Sequence, residues 1–113
     1  MNKIYITIKD SGLRAIPIKS ILALESDDHY VNIHYFVGSK VEKTFAYGRI
    51  GEITKILPPY FIKIGQSQVI NTSKVLQTIE SQIEFVGGLK LPMKSKSARK
   101  FFYSQLSFII KQK

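Results

Sequence analysis

Short runs of alternating apolar and polar residues, each closed by turn chemistry, constrain this chain more than any other feature. Ile4, Ile6 and Ile8 alternate with Tyr5, Thr7 and Lys9, Asp10-Ser11-Gly12 supplies a turn, and Leu13 to Ile18 runs back. A period of two with a turn between predicts a hairpin. Ile21 to Glu25 reads as a buried strand and Glu25-Ser26-Asp27-Asp28 as a turn. In the next strand Tyr30, Asn32, His34 and Phe36 alternate with Val31, Ile33 and Tyr35. Gly38-Ser39-Lys40 then turns the chain into Val41 to Tyr47.

The period changes after residue 49. Ile50, Ile53, Ile56 and Leu57 share a face at helical spacing, and Pro58-Pro59 stop that helix. After the prolines come Tyr60 to Ile64, a break at Gly65 and the run Gln66 to Asn71, with Thr72 or Ser73 able to cap a short helical turn through Val75. Leu76 to Ser81, Gln82 to Val86 and Leu89 to Met93 read as further strands, with Gly87-Gly88 as a strong hairpin signal. Ser95 or Ser97 can cap a last helix whose apolar positions are Ala98, Phe102, Leu106, Ile109 and Ile110. Phe101 and Phe108 broaden that stripe, which suggests packing on two sides. These elements predict a mainly β, multi-stranded fold over residues 1–113 as one domain, with one internal and one C-terminal helix.

Charge is distributed against expectation. Residues 1–60 hold 8 Lys/Arg against 6 Asp/Glu, whereas residues 61–113 hold 9 against 2, so most of the net +9 lies in the second half. The densest cluster, Lys94-Ser95-Lys96-Ser97-Ala98-Arg99-Lys100, opens the last helix. A helix N-terminus carries roughly half a positive charge, so each cation there costs about 0.3–1 kcal/mol at an exposed site. An anionic partner offsets that cost. Free N–H groups at a helix start bind phosphate oxygens, which points to nucleic acid.

Other classes are less well supported. The chain has no Cys, hence no disulfide framework, thiolate metal site or thiol nucleophile. It shows neither a signal peptide nor an apolar run near 18 residues, so a soluble, cytoplasmic protein is expected. Without a secretory signal, Asn71-Thr72-Ser73 does not read as a glycosylation site, and Asn71 reads as structural, bonding backbone as in Asx turns. His29 and His34 lack metal-ligand spacing, Glu25, Asp27 and Asp28 crowd one turn, and no Gly-rich phosphate loop or paired nucleophile is visible. No enzyme, cofactor or metal is expected. A basic module that binds an anionic membrane surface, RNA or an acidic protein remains the alternative.

Three segments in order resemble the LytTR DNA-binding domain of bacterial response regulators. They are Ile21-Leu22-Ala23-Leu24-Glu25 followed by His29-Tyr30-Val31, the run Phe61-Ile62-Lys63-Ile64-Gly65-Gln66-Ser67-Gln68-Val69-Ile70-Asn71, and Leu91-Pro92-Met93 leading into a basic helix. The resemblance implies an elongated β fold that lays loops into successive major grooves, on imperfect direct repeats in promoters. By the same analogy it implies a homodimer on DNA and control by a membrane-protein inhibitor. The chain has no receiver domain, so it reads as a stand-alone regulator or an excised domain.

The resemblance also implies contact residues. In the first loop these are His29 and Tyr30; in the second segment, Lys63, Gln66 and Ser67; at the helix start, Lys94, Ser95, Lys96, Arg99 and Lys100. Many relatives carry a cationic or imidazole side chain where Gly65 stands, so Gly65 and Gln66 remove charge. The Gln66 amide can still pair with adenine N6 and N7. Lys96 stands where relatives often place a base-reading Arg; Lys reaches guanine O6 or N7 without the planar fork, while Lys94, Arg99 and Lys100 suit phosphates.

Overall fold

The four residues Ile21, Leu22, Ala23 and Leu24 are all fully buried, which sets the architecture: a strand with no solvent face must be covered on both sides. The computed structural model describes residues 2–8 and 12–106. Strands β1 (Lys3–Ile8) and β2 (Gly12–Pro17) form the expected hairpin, whose Asp10-Ser11 turn lies outside the described residues. A 3-10 turn, Ile18–Ser20, leads into β3 (Ile21–Asp27), followed by β4 (Tyr30–Val37) and β5 (Lys40–Tyr47). After the short helix α1 (Ile50–Thr54) come β6 (Phe61–Ile64) and β7 (Gln68–Asn71). Strands β8 (Val75–Ile79), β9 (Gln82–Phe85) and β10 (Lys90–Pro92) precede α2 (Lys96–Gln105).

A five-stranded sheet in the order β5-β4-β3-β7-β6 forms the middle layer. One face carries Leu24, Val31, Ile33, Tyr35 and Val69 and is covered by Ile4, Ile6 and Ile16 of the hairpin and Ile50 of α1. The other carries Ala23, Ile64 and Ile70 and is covered by Ile83, Phe85 and Leu91 of the three-stranded sheet β10-β9-β8, with Ala98 and Phe102 of α2. A register shift between Ile21 and Ala23 sends Leu22 to the same core as Ala23. One inserted residue in a strand does this. The molecule measures 55 × 28 × 24 Å, an elongated, mainly β fold as expected.

Several boundaries differ from the sequence reading. β3 continues through Glu25 to Asp27 because Glu25 pairs with both Asn32 and Gln68, and the turn is reduced to Asp28-His29 with Asp28 left-handed (φ 57°). β8 stops at Ile79, since Glu80 and Ser81 both have positive φ and form a tight two-residue turn. α1 is shorter than predicted. Beyond it, Ile56 N–H donates to Ile53 O and Leu57 N–H to Thr54 O; three-residue spacing leaves Leu57 packed on the core and Ile56 46% exposed. On α2, Ala98 and Phe102 are buried but Phe101 is exposed, so packing is one-sided there; Phe108, Ile109 and Ile110 lie outside the described residues.

Gly87, in the β9–β10 turn, has φ +89°, and a Cβ there would stand 2.6 Å from the Phe36 ring. Only glycine lets this turn close over β4. Asn71 performs the structural role expected of it and also caps the 3-10 turn Thr72–Lys74, which the sequence reading gave to Thr72 or Ser73. Its Nδ2 donates to Ile21 O (2.7 Å), and its Oδ1 accepts from Ser73 N–H (3.0 Å) and Ser73 Oγ–H (2.6 Å).

Replacing fully buried Asn71 with Ala strands the Ile21 carbonyl and should lower unfolding free energy by about 1–3 kcal/mol. Exposed Gln66→Ala should stay within about 0.5 kcal/mol of wild type. Urea denaturation of both chains checks this; equal stabilities would mean that Ile21 O finds another partner.

Candidate nucleic-acid interface

One end of the central sheet gathers the loops. The β3–β4 turn brings Asp28 and His29 there, and both side chains are largely exposed (77% and 86%). Gly65-Gln66-Ser67 joins β6 to β7 at the same end, tied to its neighbour by Ser26 N–H donating to Ser67 O (2.8 Å). Gly65 is left-handed (φ +60°), and a Cβ on it would meet Ala98 Cβ at 3.8 Å, so this loop lies against the start of α2. On the far side, Met93 N–H donates to Ser81 O (2.8 Å), which brings the β8–β9 turn beside the segment that feeds α2. Segments distant in sequence thus form one row.

The start of α2 is built by Ser95. Its extended backbone (φ −153°, ψ 161°) and its Oγ, which accepts from Ala98 N–H at 3.0 Å, make it the N-cap, one of the two residues the sequence offered. No acidic residue occupies the first turn. Lys94, Lys96 and Lys100 are exposed, whereas Arg99 is half-buried and its guanidinium donates to Ser81 Oγ. Arg99 therefore braces the β8–β9 turn. Ser95 Oγ is likewise engaged, in capping and with Ser97 Oγ at 3.1 Å.

The other expected contact residues fall into two groups. His29 and Gln66 are exposed at the loop tips, with Ser67 half-buried beside them. Tyr30 packs into an aromatic cluster, its ring 5.3 Å from Phe45 and 6.2 Å from Tyr47. Lys63 points along β6 toward α1, with Nζ 3.9 Å from where a Gly51 Cβ would stand. Arg49 was missed by the sequence reading. It is exposed and follows Gly48, whose N–H donates to His29 O (3.4 Å), so a cation stands beside the first loop. Its signal was the Gly48-Arg49 pair between strand and helix, which reads as a plain connection until the strands are paired.

Behind the loops lies a polar cluster that the sequence did not reveal. His34 Nε2–H donates to Glu25 Oε1 (3.1 Å), and Gln68 Nε2 donates to Glu25 Oε2 (3.1 Å) and to Pro92 O (2.8 Å). His34 and Gln68 are buried, and no buried side-chain polar atom among the described residues lacks a partner. The His34 hydrogen bond is the main cause holding the Glu25 pKa below its ordinary value; burial opposes it, while the Gln68 hydrogen bond and electrostatic attraction from His34 and Lys94 assist. The described residues contain no group of three or more His, Asp or Glu able to hold a metal, and no helix long and apolar enough to cross a membrane.

Residues 11–107 match the family model described as the LytTr DNA-binding domain. The chain belongs to the LytTR family. A solved structure, the LytTr DNA-binding domain of a Bacillus cereus protein described as a methyl-accepting/DNA response regulator, superposes with a TM-score of 0.76. The alignment covers 96% of this chain and 99% of that one at 18% identity, so it attests the fold. A search of curated proteins found no match. Membership of the LytTR family makes this a DNA-binding domain and gives the loop-bearing end a chemical context.

Because the fold depresses the Glu25 pKa, the stability that this carboxylate contributes is present above its unfolded value and lost as pH falls through the folded one. Wild type should therefore exceed Glu25→Gln in stability near pH 5, and the margin should shrink as the pH falls below about 4. Urea titrations of both chains across that range test it; parallel curves would remove Glu25 from the acid response.

Proposed function

We propose that this chain is a bacterial, cytoplasmic transcription regulator that binds duplex DNA sequence-specifically through the loop-bearing end of its central sheet. The observation that carries the reading is the convergence there of His29, Gln66 and the capped, cation-rich start of α2. Lys94, Lys96 and Lys100 beside a helix N-terminus suit phosphate oxygens and groove edges. The long axis of 55 Å exceeds the roughly 34–36 Å between successive major grooves on one face of DNA, so one molecule is long enough to engage two. Imperfect direct repeats and a homodimer on DNA follow from the family analogy, as does control by a membrane-protein inhibitor.

The contact residues take distinct roles in this reading. Gln66 and Lys96 read bases, with His29 at the first loop tip. Lys94 and Lys100 bind phosphates, and Arg49 adds a cation at the first loop. Arg99, occupied by Ser81, contributes mainly by holding the neighbouring turn, and Ser95 by shaping the helix start. Tyr30 and Ser67 border the loop tips, and Lys63 flanks the groove formed by Gly65, Ser97, Ala98 and Phe101.

Neutralising about 4 to 6 phosphates should give a slope of log K against log salt near −4 to −5 for duplex DNA. Fluorescence anisotropy across a salt series measures it, with RNA and anionic vesicles run alongside. A slope near zero would rule out phosphate neutralisation, and equal affinity for all three would favour a general basic interaction module.

Substitutions separate the roles further. Gln66→Ala should lower affinity for a selected operator by about 1–3 kcal/mol and leave a scrambled duplex nearly unaffected, whereas Lys100→Ala should weaken both alike. Lys96→Ala should relax one operator position. Uniform losses for Gln66→Ala or Lys96→Ala across sequences would reassign that residue to the phosphate backbone.

A further inference from the structure

Gln68 is a buried polar residue with an unusual place in the fold. It opens β7 directly after the Gly65-Gln66-Ser67 loop and is 1% exposed. Its two amide hydrogens reach two different elements: Glu25 on β3, two residues before the end of the strand that carries the first loop, and the carbonyl of Pro92 on β10, two residues before Lys94. One side chain therefore joins the roots of all three loop regions.

The sheets it links belong to different layers. β7 lies in the five-stranded sheet and β10 in the three-stranded one. Between them the contacts are largely apolar, through Ile64, Ile70, Ile83, Leu91 and Met93. Apolar burial is non-directional and tolerates small sliding, whereas a hydrogen bond fixes distance and angle. An apolar side chain of similar size would avoid the cost of burying an amide and its partners. A satisfied polar cluster here specifies one arrangement of the layers.

We propose that Gln68 is a positioning residue for base reading: it sets the spacing between the middle loop and the start of α2, so that Gln66 and Lys96 address the DNA together. This rests on the DNA-binding reading above and assigns its specificity a structural source. Phosphate contacts tolerate small displacements because long Lys side chains adjust, but paired base contacts need their scaffold held within about 0.5 Å. Gln68 then affects the ratio of specific to non-specific affinity more than affinity itself.

The test uses the duplex that the wild-type chain selects from a random-sequence pool, with a scrambled duplex of the same composition. Gln68→Met keeps the volume and loses both hydrogen bonds; it should hold scrambled-duplex affinity within about twofold and lower the selected-to-scrambled ratio about tenfold or more. Gln68→Glu sets a carboxylate against Glu25 and the Pro92 carbonyl, and should lose the ratio at neutral pH. As pH falls the introduced carboxyl takes a proton and can donate one bond again, so its ratio, normalised to wild type at each pH, should partly recover. The introduced carboxyl stands within hydrogen-bond distance of Glu25, so the two titrate as a coupled pair, with His34 and Lys94 facing the same cluster, and the normalised ratio reports that pair. Thermal unfolding at each pH ensures that only folded protein is compared.

A Gln68→Met chain with an unchanged ratio overturns the proposal, as does a Gln68→Glu ratio equal to that of wild type at every pH. The second result decides the matter if Gln68→Met is too unstable to assay. A wild-type chain that selects no sequence from the pool overturns the DNA-reading function itself, and this inference with it.

Discussion

Everything in this fold follows from a central strand with no solvent face. β3 pairs with β4 on one side and β7 on the other, and from Ile21 to Leu24 its residues are wholly buried. Burial on both faces obliges the chain to supply two covering layers, the β1–β2 hairpin with α1 and the β8–β10 sheet with α2. The inserted residue at Leu22 is part of the same solution, because it turns two consecutive side chains into one core. Asn71 then secures the strand's start, satisfying the Ile21 carbonyl from within the sheet.

Rigidity at one end of that sheet gives the loops their value. Under the proposed function the loops must be displayed by well-anchored elements, and β3, β4 and β7 are the best-buried strands among the described residues. The Glu25–His34–Gln68 cluster adds direction to this rigidity, and Arg99 and Ser81 do the same for the edge of the second sheet. Cations at the start of α2, unfavourable for an isolated helix, become favourable once the surface they share faces an anionic polymer. In the proposed reading, the cost in helix stability and the gain in binding belong to the same residues.

Much of this architecture was legible in the alternation of residues. The β1–β2 hairpin, the long β4, the Gly87-Gly88 turn and both helices were expected from period and turn chemistry, and Ser95 and Asn71 from the local hydrogen bonds their side chains make. Strand ends were less legible. Glu25 and Asp27 looked like turn residues because carboxylates usually are, and pairing with Asn32 and Tyr30 overrode that preference. Glu80 and Ser81 looked like strand and became a turn, because nothing in their side chains announces a positive φ. The candidate site was legible as charge and as family pattern, but Arg49 was not, since its neighbourhood with His29 is created by the pairing of β4 with β5.

The sequence by itself determined the local grammar: which residues alternate, where most turns fall, that Ser95 or Ser97 caps the last helix, and that positive charge gathers in the second half. These are short-range properties, set by backbone sterics, side-chain hydrogen bonds to near neighbours and the count of charges. Only the tertiary structure decided which distant segments meet. Glu25 and Gln68 are 43 residues apart and Gln68 and Pro92 are 24 apart, yet one amide joins all three. Hydrophobic period states which face of a strand is buried but not what lies against it; that choice is made by the chain as a whole, when every layer must find a cover and every buried polar atom a partner.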